Sequence, residues 1–191
     1  RRHTRFRNVT GVQTCALPIS RHPKLVVIGA HFGSMSFDLQ QLGETFDKFP
    51  NFHADTSARL RIVGRLNPQA VRDFFTKYQD RLLFGCDDFI LPKSTPRKPD
   101  AGANVVLYPS EDTDRAWLDP ADREAVKRWQ DRAALSIGQH FQYFETTRSD
   151  IPSPSGNGGS WLRLIGAELP PAVLEKLYHA NAERLIPGLK K

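Results

Sequence analysis

Apolar and polar positions follow two rhythms along this chain. Lys24–Ala30 (KLVVIGA) is apolar almost throughout, and Leu82-Leu83-Phe84 forms a second unbroken run that ends at Gly85. Runs of this kind read as strands buried on both faces, as in a parallel sheet. A shorter run, Phe52–Thr56, lies between them. The strand starts Leu25, Phe52 and Leu82 are 27 and 30 residues apart, about one strand–loop–helix–loop unit each. The stretches between them carry helical spacing. Phe37, Leu39, Leu42 and Phe46 make an apolar stripe behind Ser36 as N-cap, weakened by Gly43 and stopped by Pro50. Arg59–Leu66 reads as loop or a short helix. Asn67 then caps a helix that Pro68 opens, with Val71, Phe74, Phe75 and Tyr78 on its apolar face. The expected core is therefore three adjacent parallel strands, Leu25–Ala30, Phe52–Thr56 and Leu82–Cys86, in that spatial order. Each ends in a polar residue, which places the chemistry on one rim.

Beyond Asp88 the regular spacing fails. Phe89 to about Pro120 is rich in Pro, Lys and Asp and too long for an ordinary connection, with Val105–Tyr108 as a short strand or extended piece inside it. Asp119-Pro120 opens a long helix reaching about Glu145, with Trp129, Leu135, Ile137 and Phe141 among its apolar residues. Ser149–Ser160 reads as a flexible loop, Trp161–Ile165 as a short apolar piece, and Pro170-Pro171 as the start of a last helix ending near Leu185.

Charge changes the picture only after the first 20 residues are set aside. Val9–Ile19 (VTGVQTCALPI) resembles, residue for residue, the translation of a widely used DNA-sequencing adapter. Residues 1–20 are therefore read as a non-native segment that packs against nothing, with the natural N-terminal part of the protein replaced. The whole chain has 27 Lys and Arg against 21 Asp and Glu. The segment holds four of the basic residues and no acid, which leaves 23 against 21 and a net charge of +2. No basic stripe for nucleic acid remains. Cys15 lies in the segment and Cys86 stands alone, so the remainder has no intrachain disulfide and its compartment is open, cytoplasmic by default. No apolar run approaches the roughly 18 residues of a membrane span. The partners expected are a small-molecule substrate, with neither nucleic acid nor membrane, and a homo-oligomer is compatible with an open strand edge.

His31 and Asp87 are the candidates for chemistry, because each follows an apolar strand at the end where barrel enzymes keep their active sites. A carboxylate there can ligate a divalent metal, and a histidine can ligate one or shuttle protons. A histidine in that place can equally bond a loop carbonyl. Asp88 alternates away from Asp87 and caps or pairs elsewhere. Asp55 either faces the same rim or caps its own loop through Thr56-Ser57, the second being favoured. His53 reads as core or surface, and Cys86 as a buried small apolar residue. Arg59 is a candidate to hold an anionic substrate, against the ordinary case of a solvated arginine.

VIGAHFGS, NFHADTSAR, VRDFFTKYQDRLLFGCDD, HFQYFE and LPPAVLEKLYHANAERLIP, in this order, resemble the C-terminal half of the amidohydrolase-related metal-dependent hydrolases, a family that includes aminocarboxymuconate-semialdehyde decarboxylase-like enzymes. The resemblance runs from Lys24 to Pro187, the long loop excepted. It implies an α/β fold, the C-terminal part of a (β/α)8 TIM barrel, with residues 21–191 as a partial barrel domain and the three strands as its sixth to eighth. It also implies roles: His31 as proton shuttle or substrate contact, and Asp87 as ligand of one catalytic divalent metal, commonly zinc. The family's first-strand HxH pair and fifth-strand ligand have no counterpart in this sequence, so the chain by itself is expected to be inactive. The implied reactions are hydrolysis of a C–N or C–O bond by a metal-activated water, or non-oxidative decarboxylation. A metal-free binding or scaffold protein on the same barrel is the alternative from another class.

Overall fold

The structure, a computed structural model, describes residues 19–87, 123–154 and 162–189. Its centre is a three-stranded parallel sheet of β1 (Val27–Gly29), β2 (Phe52–Asp55) and β3 (Leu82–Leu83), in the order β1-β2-β3. Val27 pairs with Phe52 and Gly29 with Ala54; Ala54 pairs with Leu82 and Asp55 with Leu83. The order and direction are those expected, although each strand is shorter than its apolar run.

Two helices connect the strands. Helix α1 (Leu39–Lys48) follows β1, and its N-cap is Asp38, whose carboxylate accepts from Gln41 N at 2.9 Å. Ser36, the cap expected, is buried instead. Phe37 is 66 % exposed and leaves the stripe, while Leu42 and Phe46 are buried in it. Gly43 has a packing reason: a Cβ there would lie 2.8 Å from Tyr78 Oη, so the glycine lets Tyr78 lie against the helix. After β2 come a four-residue turn, α2 (Leu60–Val63), and then α3 (Pro68–Lys77). Asn67 caps α3 through Oδ1, which accepts from Gln69 N and Ala70 N at 2.9 and 3.2 Å. Phe46, Phe52, Phe74, Phe75 and Tyr78 close ring on ring beneath the sheet, for example Phe74 to Tyr78 at 4.9 Å between centroids. Each such pair adds about 0.5–1.5 kcal/mol to the apolar burial itself.

The rest of the chain packs against this unit. Helix α4 spans Arg123–Glu145. The apolar face expected on it is displaced: Leu135 is 63 % and Phe141 38 % exposed, and among its described side chains the buried ones are Gln139, His140, Tyr143 and Phe144. Tyr143 and Phe144 turn to the core, where Phe144 meets Phe75 at 5.4 Å. Ile151–Pro152 (β4) pairs antiparallel with Arg163–Leu164 (β5), so part of the stretch read as flexible loop is strand. Pro171–Glu175 (α5), a π-turn at Lys176–Ala180 and Asn181–Leu185 (α6) follow without a break as the last helix. The expectations for Asp88, Trp129 and Val105–Tyr108 lie outside the described residues and side chains.

The sheet's two edges differ. At β3 the last helix covers the edge: Phe84 N donates to Leu177 O at 2.9 Å, and Asn181 Nδ2 donates to Gln79 O and Leu82 O at 2.7 and 2.8 Å. The π-turn, with its wider ring, frees the Leu177 carbonyl for this contact. At β1 nothing among the described residues does the same. Leu25, Val26 and Ile28 are 49, 46 and 39 % exposed, so the strand expected to be buried on both faces is covered on one. A second correction concerns the first twenty residues. Ile19 is buried against the core, and its carbonyl lies 3.5 Å from Asn51 Nδ2, so packing begins inside the segment expected to pack against nothing.

Two outcomes follow for stability. Asn181→Ala leaves one buried and one half-buried carbonyl without their donor and should cost about 1–3 kcal/mol by urea denaturation. His53, in β2, is 4 % exposed, and burial first, then the charges of Arg81 and Arg184, hold its pKa down from 6.5 to about 4. The unfolded chain therefore takes up the proton first as pH falls. Stability should decline from about pH 6.5 to pH 4 by up to about 3 kcal/mol, and His53→Gln should flatten that part of the curve.

Candidate functional site

The candidate site is the rim at the C-terminal ends of the parallel strands. At the end of β1 the chain enters a left-handed turn, with φ of 59° at His31, 56° at Phe32, 58° at Gly33 and 64° at Ser34. Three of these residues have a Cβ, and such a residue costs roughly 1–2 kcal/mol in this conformation. Two features hold the turn. Phe32 and Met35 are buried beneath it, and His31 N donates to Asp55 Oδ1 at 2.9 Å. The same Oδ1 accepts from Ser57 N at 3.0 Å and Ser57 Oγ at 2.6 Å. One carboxylate thus clasps the ends of β1 and β2.

The His31 ring closes the clasp from the other side. Its Nδ1 lies 3.0 Å from Ser57 O. A carbonyl oxygen only accepts, so Nδ1 carries the proton, and in the neutral ring Nε2 is left as the basic nitrogen. The rim continues to β3 through Thr56. Thr56 N donates to Leu83 O, Thr56 Oγ1 donates to Gly85 O at 2.9 Å, and Gly85 N lies 3.0 Å from the same hydroxyl. Gly85 sits directly on Ser57: a Cβ there would be 2.6 Å from Ser57 Oγ.

His31 and Asp55 meet on this rim, and among the described residues the other expected ones do not join them by hydrogen bonds. His31 is bonded into it. Asp55 caps its own loop, as favoured, and in addition holds His31. Asp87 stands four residues beyond β3, exposed and at φ 64°, and no hydrogen bond among the described residues joins it to His31. Arg59 begins α2 two residues after Ser57, half-buried, and its Nε is enclosed with no partner among the described residues. Cys86 is half-buried where burial was expected, because the chain is already leaving the sheet. His53 is core. The parts that Ser57 and Thr56 play in joining the strand ends were not anticipated. The signal available was two hydroxyl residues directly after an acid-ended strand.

A catalytic zinc takes three protein ligands. Among the described residues no three His, Cys, Asp or Glu side chains gather to hold an ion. Asp55 Oδ1 already accepts three hydrogen bonds, and His31 Nδ1 is engaged by Ser57. The described residues therefore do not by themselves fit a metal centre. Among them, no helix is long and apolar enough to cross a membrane.

Parallel strands with connecting helices, and polar side chains collected at the strands' C-terminal ends, define an α/β protein of the kind that keeps its chemistry on that rim. Residues 18–188 match the family model described as Amidohydrolase, and the chain belongs to that family. The family implies a TIM-barrel-like fold; the described residues supply three parallel strands and their helices, without a closed barrel. No curated protein and no solved structure matches the chain. Membership makes this a protein of the hydrolase or lyase type.

The close approach of Gly85 to Ser57 has a measurable consequence. Gly85→Ala forces Ser57 Oγ off Asp55 and should cost about 1–3 kcal/mol by chemical denaturation. Made in a Ser57→Ala background, where the hydroxyl is gone, the same change should cost far less.

Proposed function

We propose that this protein is a hydrolase that drives water onto a C–N or C–O bond, with His31 as the group that moves the proton. The observation that carries this reading is the bond from His31 Nδ1 to Ser57 O. It fixes both the ring and its tautomer, and it leaves Nε2 as the acceptor nitrogen at the rim, which supports a proton-shuttle role for His31. Asp55 supports the same atom indirectly. By holding His31 N and Ser57 together, it fixes both ends of the bond that orients the imidazole.

Asp87 is the residue assigned to a divalent ion, zinc being the ion proposed, since members of this family usually bind a divalent metal. When bound, such an ion lowers the pKa of water and polarises a carbonyl. One carboxylate does not make that site, so this chain alone is expected to bind zinc weakly and to turn over little substrate. Arg59 is assigned to an anionic group of the substrate, on the strength of its enclosed and unpartnered Nε.

In the protein as the cell makes it, His31→Ala should keep most of the metal while lowering turnover roughly 10²–10⁴-fold, the usual worth of a positioned acid or base. Asp87→Ala should abolish turnover. Metal content by plasma mass spectrometry and steady-state kinetics on both variants measure this together. A fully active His31→Ala enzyme, or stoichiometric zinc in the present chain, contradicts the roles given. Carbon dioxide release without consumption of water would identify the decarboxylase reaction of the same family in place of hydrolysis.

A further inference from the structure

Left-handed backbone collects on one rim of this molecule. Among the described residues other than glycine, His31, Phe32 and Ser34 have positive φ after β1, Ala58 after β2 and Asp87 after β3, with Glu168 as the exception elsewhere. Residues with a Cβ keep such conformations only where their surroundings hold them. After β1 the holding group is the Asp55 carboxylate, which accepts from His31 N at 2.9 Å.

Thr56, the next residue, reaches the other way, to the exit of β3. It is 1 % exposed, and its hydroxyl meets both polar groups of a single residue. Oγ1 donates to Gly85 O at 2.9 Å and accepts from Gly85 N at 3.0 Å. A hydroxyl has one proton to donate and lone pairs to accept with, and both functions are used here. Thr56 N donates to Leu83 O at 3.0 Å, so the side chain is anchored on the strand whose exit it holds. Gly85 is confined from a second side, since a Cβ on it would lie 2.6 Å from Ser57 Oγ. With the N–H and the C=O of Gly85 both bonded, the two peptide planes that flank it are fixed. Between the second plane and the Cα of Asp87 only the φ and ψ of Cys86 remain.

We propose that Thr56 is a positioning residue for Asp87. Its hydroxyl fixes the chain two residues before the carboxylate and so sets how Asp87, exposed and at φ 64°, leaves the sheet. Successive residues at the end of the central strand divide the work. Asp55 holds the exit of β1 with its His31, and Thr56 holds the exit of β3 with its Asp87. The hydroxyl is the effective part, because both bonds run through Oγ1. The value of this placement for the reaction rests on the role given to Asp87 above, which the kinetics of Asp87→Ala test by themselves. The placement itself is read without turnover, so the two can fail separately.

The experiment compares two variants of the whole chain by NMR. Thr56→Val keeps the shape and loses the hydroxyl; Thr56→Ser keeps the hydroxyl and loses the methyl. In Thr56→Val the Gly85 amide should exchange at least about tenfold faster, as expected for the loss of one hydrogen bond. The HN–Hα coupling and Cα shift of Asp87 should leave their positive-φ values. Thr56→Ser should retain all three. Thr76→Val removes a hydroxyl that donates to Arg72 O on α3, at 2.7 Å, and should leave Asp87 unchanged. In the wild type, the Thr56 hydroxyl proton should give a nuclear Overhauser contact to Gly85 N–H. A role in packing alone predicts the reverse order, with Val tolerated and Ser disturbed. That reverse order, or an Asp87 that keeps its coupling and shift in Thr56→Val, overturns the proposal. If Thr56→Val does not fold, a wild-type Thr56 hydroxyl without its contact to Gly85 N–H overturns it instead.

Discussion

The rest of the rim depends on the Oδ1 oxygen of Asp55. It accepts from His31 N, Ser57 N and Ser57 Oγ, and so binds the exit of β1 to the exit of β2. Charged acceptors make hydrogen bonds about twice as strong as neutral ones, which offsets part of the cost of a left-handed turn containing three residues with side chains, and the burial of Phe32 and Met35 beneath it adds to that. Without that turn the chain after β1 would continue away from the sheet. With it, the His31 ring is brought back to Ser57 O, and the same short segment passes the connection on through Thr56 to Gly85 and toward Asp87. The geometry that orients a histidine and the geometry that joins three strand ends are one network.

That network rests on an asymmetric support. Under the sheet, Phe46, Phe74, Phe75 and Tyr78 pack ring against ring, and Gly43 gives Tyr78 its room. Beside β3, the last helix meets the strand edge with a freed carbonyl and a buried asparagine, so a polar side chain does there what a neighbouring strand does elsewhere. Beside β1, apolar residues suited to burial remain exposed. An apolar edge of this kind recruits other strands unless something covers it, and among the described residues nothing covers β1.

The sequence made the sheet legible and the rim only partly so. Unbroken apolar runs at a spacing of one βα unit announced β1, β2 and β3 with their order and direction. The Asn67-Pro68 pair announced α3 equally well, because the cap and the proline act within a few residues. Local rules failed where the decisive contact was distant. Ser36 looked like a cap, but the chain needed it buried, and Asp38 capped α1 instead. The stripe on α4 was misplaced because its buried face is chosen by Phe75 and Val63, both far away in sequence. His31 was legible as a residue at a strand's end. Its partner Ser57 was not, since the bond between them spans 26 residues and needs positive φ at residues that rarely adopt it.

The Ser57 carbonyl holds His31 with Nδ1 protonated, which leaves Nε2 without a proton in the neutral ring. Long-range ¹H–¹⁵N NMR of the neutral imidazole reports the tautomer directly. The structure predicts the Nδ1–H form, retained in the wild type and lost when Asp55→Ala lets the turn relax. A neutral His31 carrying its proton on Nε2 in the wild-type protein would contradict the account, because no bond to Ser57 O could then orient the ring.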